Sequence, residues 1–127
     1  MHTLHLLQGT VIHGQQIGRQ LGFPTANLCV EELQEPLPQP GVYAAWATLP
    51  DGMTYRAMVN VGYRPTVDSS HHRLSVEAYL DRFSGDLYGQ RLSLRLVLLL
   101  RQERRMASLD QLREQLSADL QAVREKI

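Results

Sequence analysis

The sequence predicts a mainly β fold: an antiparallel barrel, closed or nearly closed, with one C-terminal α-helix packed against its outside. Three observations carry this reading. Alternating apolar and polar positions, or β-branched and aromatic content, dominate to about residue 100. A helical period appears only after Met106. Strand and helix patterns never alternate repeatedly, which argues against a doubly wound sheet. The chain of 127 residues fits one domain, 1–127, large enough to bury a core without disulfides or structural metal.

Strand patterns fall at 5–12, 26–30, 42–49, 54–61, 74–80 and 91–100. Between the third and fourth, "LPDGMT" carries an Asp-Gly turn signal, so that pair reads as a hairpin. In "RLSLRLVLLL", Leu92, Leu94, Leu96, Leu98 and Leu100 share one face by strict alternation, opposite Arg91, Ser93 and Arg95, which predicts a strand with one buried face. The stripe Leu109, Leu112, Leu116, Leu120 and Val123 then predicts an amphipathic helix over about 108–126, with Ser108 and Gln111 spaced as a capping box. "EELQEPLPQPG" reads as an exposed connection.

Composition narrows the function. A hydrophobic share of 43% with zero formal net charge is the profile of a soluble globular protein and gives no electrostatic reason to bind nucleic acid or an anionic membrane. No apolar run approaches the ~20 residues of a membrane span, and "MHTLHLLQGT" lacks the basic region and cleavage site of a secretory signal, so a cytoplasmic location is expected. Cys29 is the single cysteine, so no intramolecular disulfide forms; it reads as a small core residue. His71 and His72 are adjacent, a poor spacing for a zinc site, and are expected in a loop before the fifth strand.

The chemistry concentrates in "GFPTAN", residues 22–27, behind glycines at Gly14, Gly18 and Gly22. Pro24 fixes its own φ and pushes Phe23 out of the helical region, so the chain leaves the loop extended and Thr25 and Asn27 point the same way. Two neutral oxygen donors suit a magnesium ion that draws its remaining ligands from water and phosphate. The glycines would let backbone amides approach an anion, with Arg19 as the nearest cation. The bland alternatives stand beside this: glycines mark turns, Thr and Asn serve local hydrogen bonds, and Arg19 is a solvated charge. A Walker A loop is excluded, since Lys126 is the only lysine. In "RLSVEAYL", Glu77 lies opposite the apolar set Leu74, Val76, Ala78 and Leu80. Alone it is a solvent-side charge; next to a phosphate site it would be a general base, with Asp81 and Asp86 as the next candidates.

"GTVIHGQQIGRQLGFPTANL", "GVYAAWA", "VNVGYRPTV", "SVEAYL", "DLYGQRLSL" and "LRQERRMASLDQLREQL" follow the order and spacing of the riboflavin kinase (flavokinase) family. The chain resembles the C-terminal module of bacterial FAD synthetases over nearly its whole length. The resemblance implies a six-stranded Greek-key barrel and transfer of the ATP γ-phosphate to riboflavin, giving FMN and ADP with Mg2+. It implies that Thr25 and Asn27 hold the metal and phosphates and that Gly14 to Gly22 form a nucleotide flap. Glu77 is the implied base, and Gly62, Arg64, Pro65 and Thr66 belong to a second flap. Arg101 and Met106 are implied in the flavin wall. An N-terminal FMN adenylyltransferase domain is expected in a parent chain of that kind, although these residues carry no H-x-G-H-type motif. Tyr79 and Met106 depart from the usual histidine and phenylalanine.

Overall fold

The structure, a computed structural model, describes residues 3–13, 22–30, 38–65 and 72–127. Its strands are β1 (His5–Ile12), β2 (Ala26–Val30), β3 (Gly41–Thr48), β4 (Thr54–Pro65), β5 (His72–Leu80) and β6 (Arg91–Arg101), followed by helix α1 (Leu109–Lys126). All pairings are antiparallel, and the sheet closes in the order β1-β2-β5-β4-β3-β6. The β3-β4-β5 meander with β6 returning beside β3 is a Greek key. At the β3–β4 turn, Asp51 Oδ1 accepts from Met53 N at 2.9 Å and Gly52 takes φ 89°, as the Asp-Gly signal predicts.

Two differences from the expected strands have physical causes. β4 continues to Pro65 and pairs with β5 through Pro65↔His72, so Gly62, Arg64 and Pro65 lie in a strand ladder and His72 opens β5 instead of lying in a loop. Proline is tolerated there because it stands at the strand end. Second, the five alternate leucines of β6 do not share a face. Register shifts between Val42 and Tyr43 and between Ala44 and Ala45 mark bulges against β3. Leu92, Leu94, Leu96 and Leu99 pack inside the barrel, while Leu98 and Leu100 pack outside under α1. A bulge adds one unpaired residue and reverses the alternation beyond it. Strict alternation fails here because the far half of β6 has apolar cover on both faces.

The barrel interior is filled by Leu7, Val11, Leu28, Tyr43, Val59, Val61, Val76 and the inward leucines of β6. Cys29 falls outside it and is exposed, because Leu28 takes the inward position and successive strand residues face opposite ways. A second cluster joins Ala44 and Met58 on the outer face to Leu120 and Val123 of α1. Burying those two helix side chains stabilises the docking by ~1.5–3 kcal/mol each. Ser108 caps α1: its Oγ accepts from Gln111 N at 3.1 Å, while Gln111 Oε1 accepts from Ala107 N at 3.0 Å. The C-terminal half is also pinned by Arg124, which reaches Asp81 at 2.7 Å and 2.9 Å, and by Arg56 Nε donating to Ile127 O at 2.9 Å.

The N-terminal half differs. Leu112 and Leu116 are only half-buried and Leu109 is 57% exposed. The apolar stripe runs the length of the helix, but the packed cluster takes it in only from Leu116 onward and leaves out Leu109 and Leu112. No helix among the described residues is long and apolar enough to cross a membrane.

Candidate active site

One lateral row of the barrel brings the site together. Asn27 on β2 pairs with Glu77 on β5, Glu77 with Asn60 on β4, Asn60 with Val42 on β3, and Val42 with Arg101 on β6. Directly paired residues project from the same sheet face. Val76 and Ala78 face the core, so Glu77 and its row face outward, toward the open end of α1. The alternation in "SVEAYL" thus puts the carboxylate on the outer face, and the register sets it beside Asn27.

Two cavities meet at this row. The first, of about 540 Å³, lies between barrel and helix. Phe23, Val42, Met58, Tyr79, Met106, Leu112 and Leu116 give it an apolar side, while Asn60, Glu77, Arg101, Glu103, Arg104, Arg105 and Thr25 supply polar groups. The half-buried leucines of α1 are therefore its roof. The second, of about 730 Å³, is lined by residues of the β1 end, Pro24 to Asn27, and the Phe83–Tyr88 connection. Thr25 and Tyr79 line both, so they stand at the boundary. Tyr79, in register with Met58, meets Phe23 edge to face at 5.5 Å between ring centroids. His13 and Tyr88 stack at 3.8 Å beside the second cavity.

Local conformation explains the placement of Thr25. Gly22 adopts φ 87°, open to glycine and strained for other residues, and lets the chain turn before Phe23 and Pro24. Gly14, Gly18 and Arg19 lie outside the described residues, as does Thr66. The neighbouring groups are tightly specified. Arg101 lines the first cavity, but its guanidinium is committed to Asp119 of α1, with Nε at 3.0 and 3.1 Å from the two carboxylate oxygens and Nη2 at 2.9 Å. Gln115 Nε2 also donates to Asp119, and Arg104 Nη2 donates to Gln115. This network fastens the 102–106 segment, with half-buried Met106, along the cavity. Arg101 therefore holds the wall together as well as lining it.

The reserve carboxylates are both engaged in hydrogen bonds, Asp81 with Arg124 and Asp86, on the wall of the second cavity, with Tyr88. Hydrogen bonds from Arg124 hold the Asp81 carboxyl below its usual range, outweighing the upward push of burial. Asp86 Oδ1 accepts from Tyr88 N and closes a turn. Neither is arranged as Glu77 is.

Sequence reasoning missed three contributors. Asn60 was hidden in "VNVG", where a polar residue between two valines reads as an ordinary solvent-facing position. Glu103 brings its carboxylate against Gly62, where a Cβ would sit 2.8 Å from Oε1, so glycine makes room for it. Leu87 and Tyr88 wall the second cavity, and nothing in their sequence marked them for it.

Comparison with known proteins agrees with this architecture. The family profile described as Flavokinase: Riboflavin kinase matches residues 1–127. A bifunctional riboflavin kinase/FMN adenylyltransferase of Pseudomonas fluorescens is 40% identical over 118 residues, covering 93% of this chain and 37% of the relative. A crystal structure described as a macrolide-efflux protein from Streptococcus pneumoniae superposes with TM-score 0.84 at 33% identity, over 94% of this chain and 38% of that one. The crystal structure of riboflavin kinase from Trypanosoma brucei superposes with TM-score 0.67 at 25% identity, over 98% of this chain and 81% of that one. The chain thus spans well under half the length of its bacterial relative, yet the match takes in the whole barrel and helix. With the profile covering every residue, the chain belongs to the riboflavin kinase (flavokinase) family.

Proposed function

We propose that this chain transfers the γ-phosphoryl group of ATP to the 5′-hydroxyl of riboflavin, giving FMN and ADP. The carrying observation is that two cavities meet at Thr25 and Tyr79, with Glu77 on the first and Asn27, its register partner, on the second. In this reading the apolar slot under α1 takes the isoalloxazine ring, with Met106, Leu112 and Leu116 against it. The second cavity takes the nucleotide. The reacting oxygens then meet at the boundary, where positioning supplies most of the catalysis.

Glu77 accepts the proton of the 5′-hydroxyl as the new oxygen–phosphorus bond forms and the bond to ADP breaks, and afterwards releases that proton to solvent. The helix roof and the 102–106 wall exclude water that would compete for the phosphoryl group. Arg101 and Met106 contribute as wall. Gly14, Gly18, Arg19 and Gly22 are proposed to cover the phosphates, and the strand end at Gly62, Arg64 and Pro65, together with Thr66, to close over substrate.

Magnesium fits the donors present. Thr25 and Asn27 offer hard, neutral oxygens two residues apart, and no cluster of three or more His, Cys, Asp or Glu among the described residues forms an all-protein metal cage. When bound there with ATP, the ion would neutralise phosphate charge during transfer. An adenylyltransferase domain preceding this one is proposed for a parent chain by analogy with the Pseudomonas relative. Incubation with riboflavin, ATP and Mg2+, followed by chromatography for FMN, tests the reading. Flavin and nucleotide binding without FMN would make the chain a binding module instead.

A further inference from the structure

The two proposed metal donors are held unequally. Asn27 is fixed by the ladder on both sides, paired with Ile12 on β1 and with Glu77 on β5. Thr25 is not: β2 begins at Ala26, and the β2–β5 pair nearest to Thr25 is Ala26↔Ala78. Magnesium binds oxygens at ~2 Å in nearly ideal octahedral order, so a donor just beyond the end of a ladder needs another support.

That support is aromatic. Phe23 meets Tyr79 edge to face, with 5.5 Å between ring centroids and 66° between planes. Both rings pack against the outer cluster of Ala44, Met58, Leu120 and Val123. Tyr79 is paired with Met58 of β4, so its backbone is fixed within the sheet. Only Pro24 stands between Phe23 and Thr25, and a proline fixes its own φ and restricts the residue before it. Anchoring the Phe23 ring therefore aims Thr25. Phe23 lines the first cavity and not the second, whereas Thr25 lines both, so the anchor lies outside the nucleotide cavity that it serves.

We propose that Tyr79 is a positioning residue: through its edge contact with Phe23 it holds the Thr25 oxygen where magnesium and phosphate require it. The inference rests on the proposed place of magnesium at Thr25 and Asn27. The two rings act as one unit, because each is the other's brace.

The test is calorimetric titration of ADP, once with Mg2+ and once with EDTA in its place, on wild type, Phe23→Leu, Tyr79→Leu, the double leucine variant and Tyr79→Phe. Phe23→Leu and Tyr79→Leu should each weaken Mg-ADP ~2- to 10-fold, the worth of one aromatic edge contact, and leave ADP in EDTA unchanged. The double variant should be no weaker than either single one, because all three lose the same contact. Tyr79→Phe keeps the ring and should bind Mg-ADP as wild type does. Unchanged Mg-ADP affinity in Phe23→Leu, additive losses in the double variant, or equal losses in EDTA overturn the proposal while leaving the kinase reading intact. A wild type that binds ADP no more tightly with Mg2+ than with EDTA overturns the metal site and the proposal together, and one that binds no ADP at all overturns the nucleotide assignment as well.

Discussion

Replacing Arg101 by alanine should cost more than replacing its partner Asp119, and the difference follows from burial. The Asp119 side chain is 4% exposed and that of Arg101 20%. Without Arg101, a buried carboxylate keeps only the Gln115 amide. The cost should lie near the low end of the range for a broken buried pair, ~3 kcal/mol. Without Asp119, the guanidinium can turn to water, and ~1.5 kcal/mol is the better figure. For 127 residues, an unfolding entropy of ~2.1 cal/mol/K per residue gives ~0.27 kcal/mol/K. The melting temperature should therefore fall by ~11 °C for Arg101→Ala and ~6 °C for Asp119→Ala. The double variant should lose less than the sum, since the second change relieves the stranded charge. Differential scanning calorimetry at neutral pH reads all three. The reverse order, or strict additivity, would refute the assignment of this pair as a buried clamp.

Glu77→Gln should lower kcat by ~10²- to 10⁴-fold while riboflavin and nucleotide binding stay near wild type; a normal kcat removes Glu77 from the chemistry. Mg-ATP should raise the melting temperature of wild type and do so far less in Thr25→Ala or Asn27→Ala, because a ligand stabilises only the state that binds it; equal shifts in all three sink the metal site. The Asp81 carboxyl titrates below its unfolded value of ~3.9. Its ion pair with Arg124 thus stabilises the fold fully above that value, and the contribution is lost as pH falls through the folded pKa. The gap in melting temperature between wild type and Asp81→Asn should narrow as pH drops from ~5 toward ~3; a gap independent of pH contradicts the linkage.

Much of the fold was legible because its signals are local. Alternation marked the strands within a few residues, Asp-Gly marked the hairpin, and Ser108 with Gln111 marked the helix start. The bulges of β6 were not legible: "RLSLRLVLLL" alternates almost without fault, and only the partner strand and helix decide where the phase slips. The site divided the same way. Thr25, Asn27 and Glu77 stood out as polar residues on one side of their strands, but their adjacency is a matter of register between segments about fifty residues apart in sequence. Asn60 was invisible because an outward polar residue normally means water; here it lines a cavity whose other walls come from α1 and the 102–106 segment. The pairing of Arg101 with Asp119 likewise needed the helix in place, since nothing in "LRQERR" singles out which arginine turns inward.

The unequal footing of α1 makes it a cantilever. Its far end is clamped by Leu120, Val123 and two arginine contacts, with Leu116 packed against that cluster, whereas Leu112 reaches out over the cavity. Amide exchange should therefore be graded along one continuous helix, slow beyond Asp119 and fast through the first two turns. A flat ring sliding beneath would act as the missing prop, supplying the apolar contact that the barrel withholds. The substrate would then complete the molecule's packing as it binds, and part of its affinity would register as slower exchange at Leu112 and Leu116, many bonds away from the oxygen that reacts.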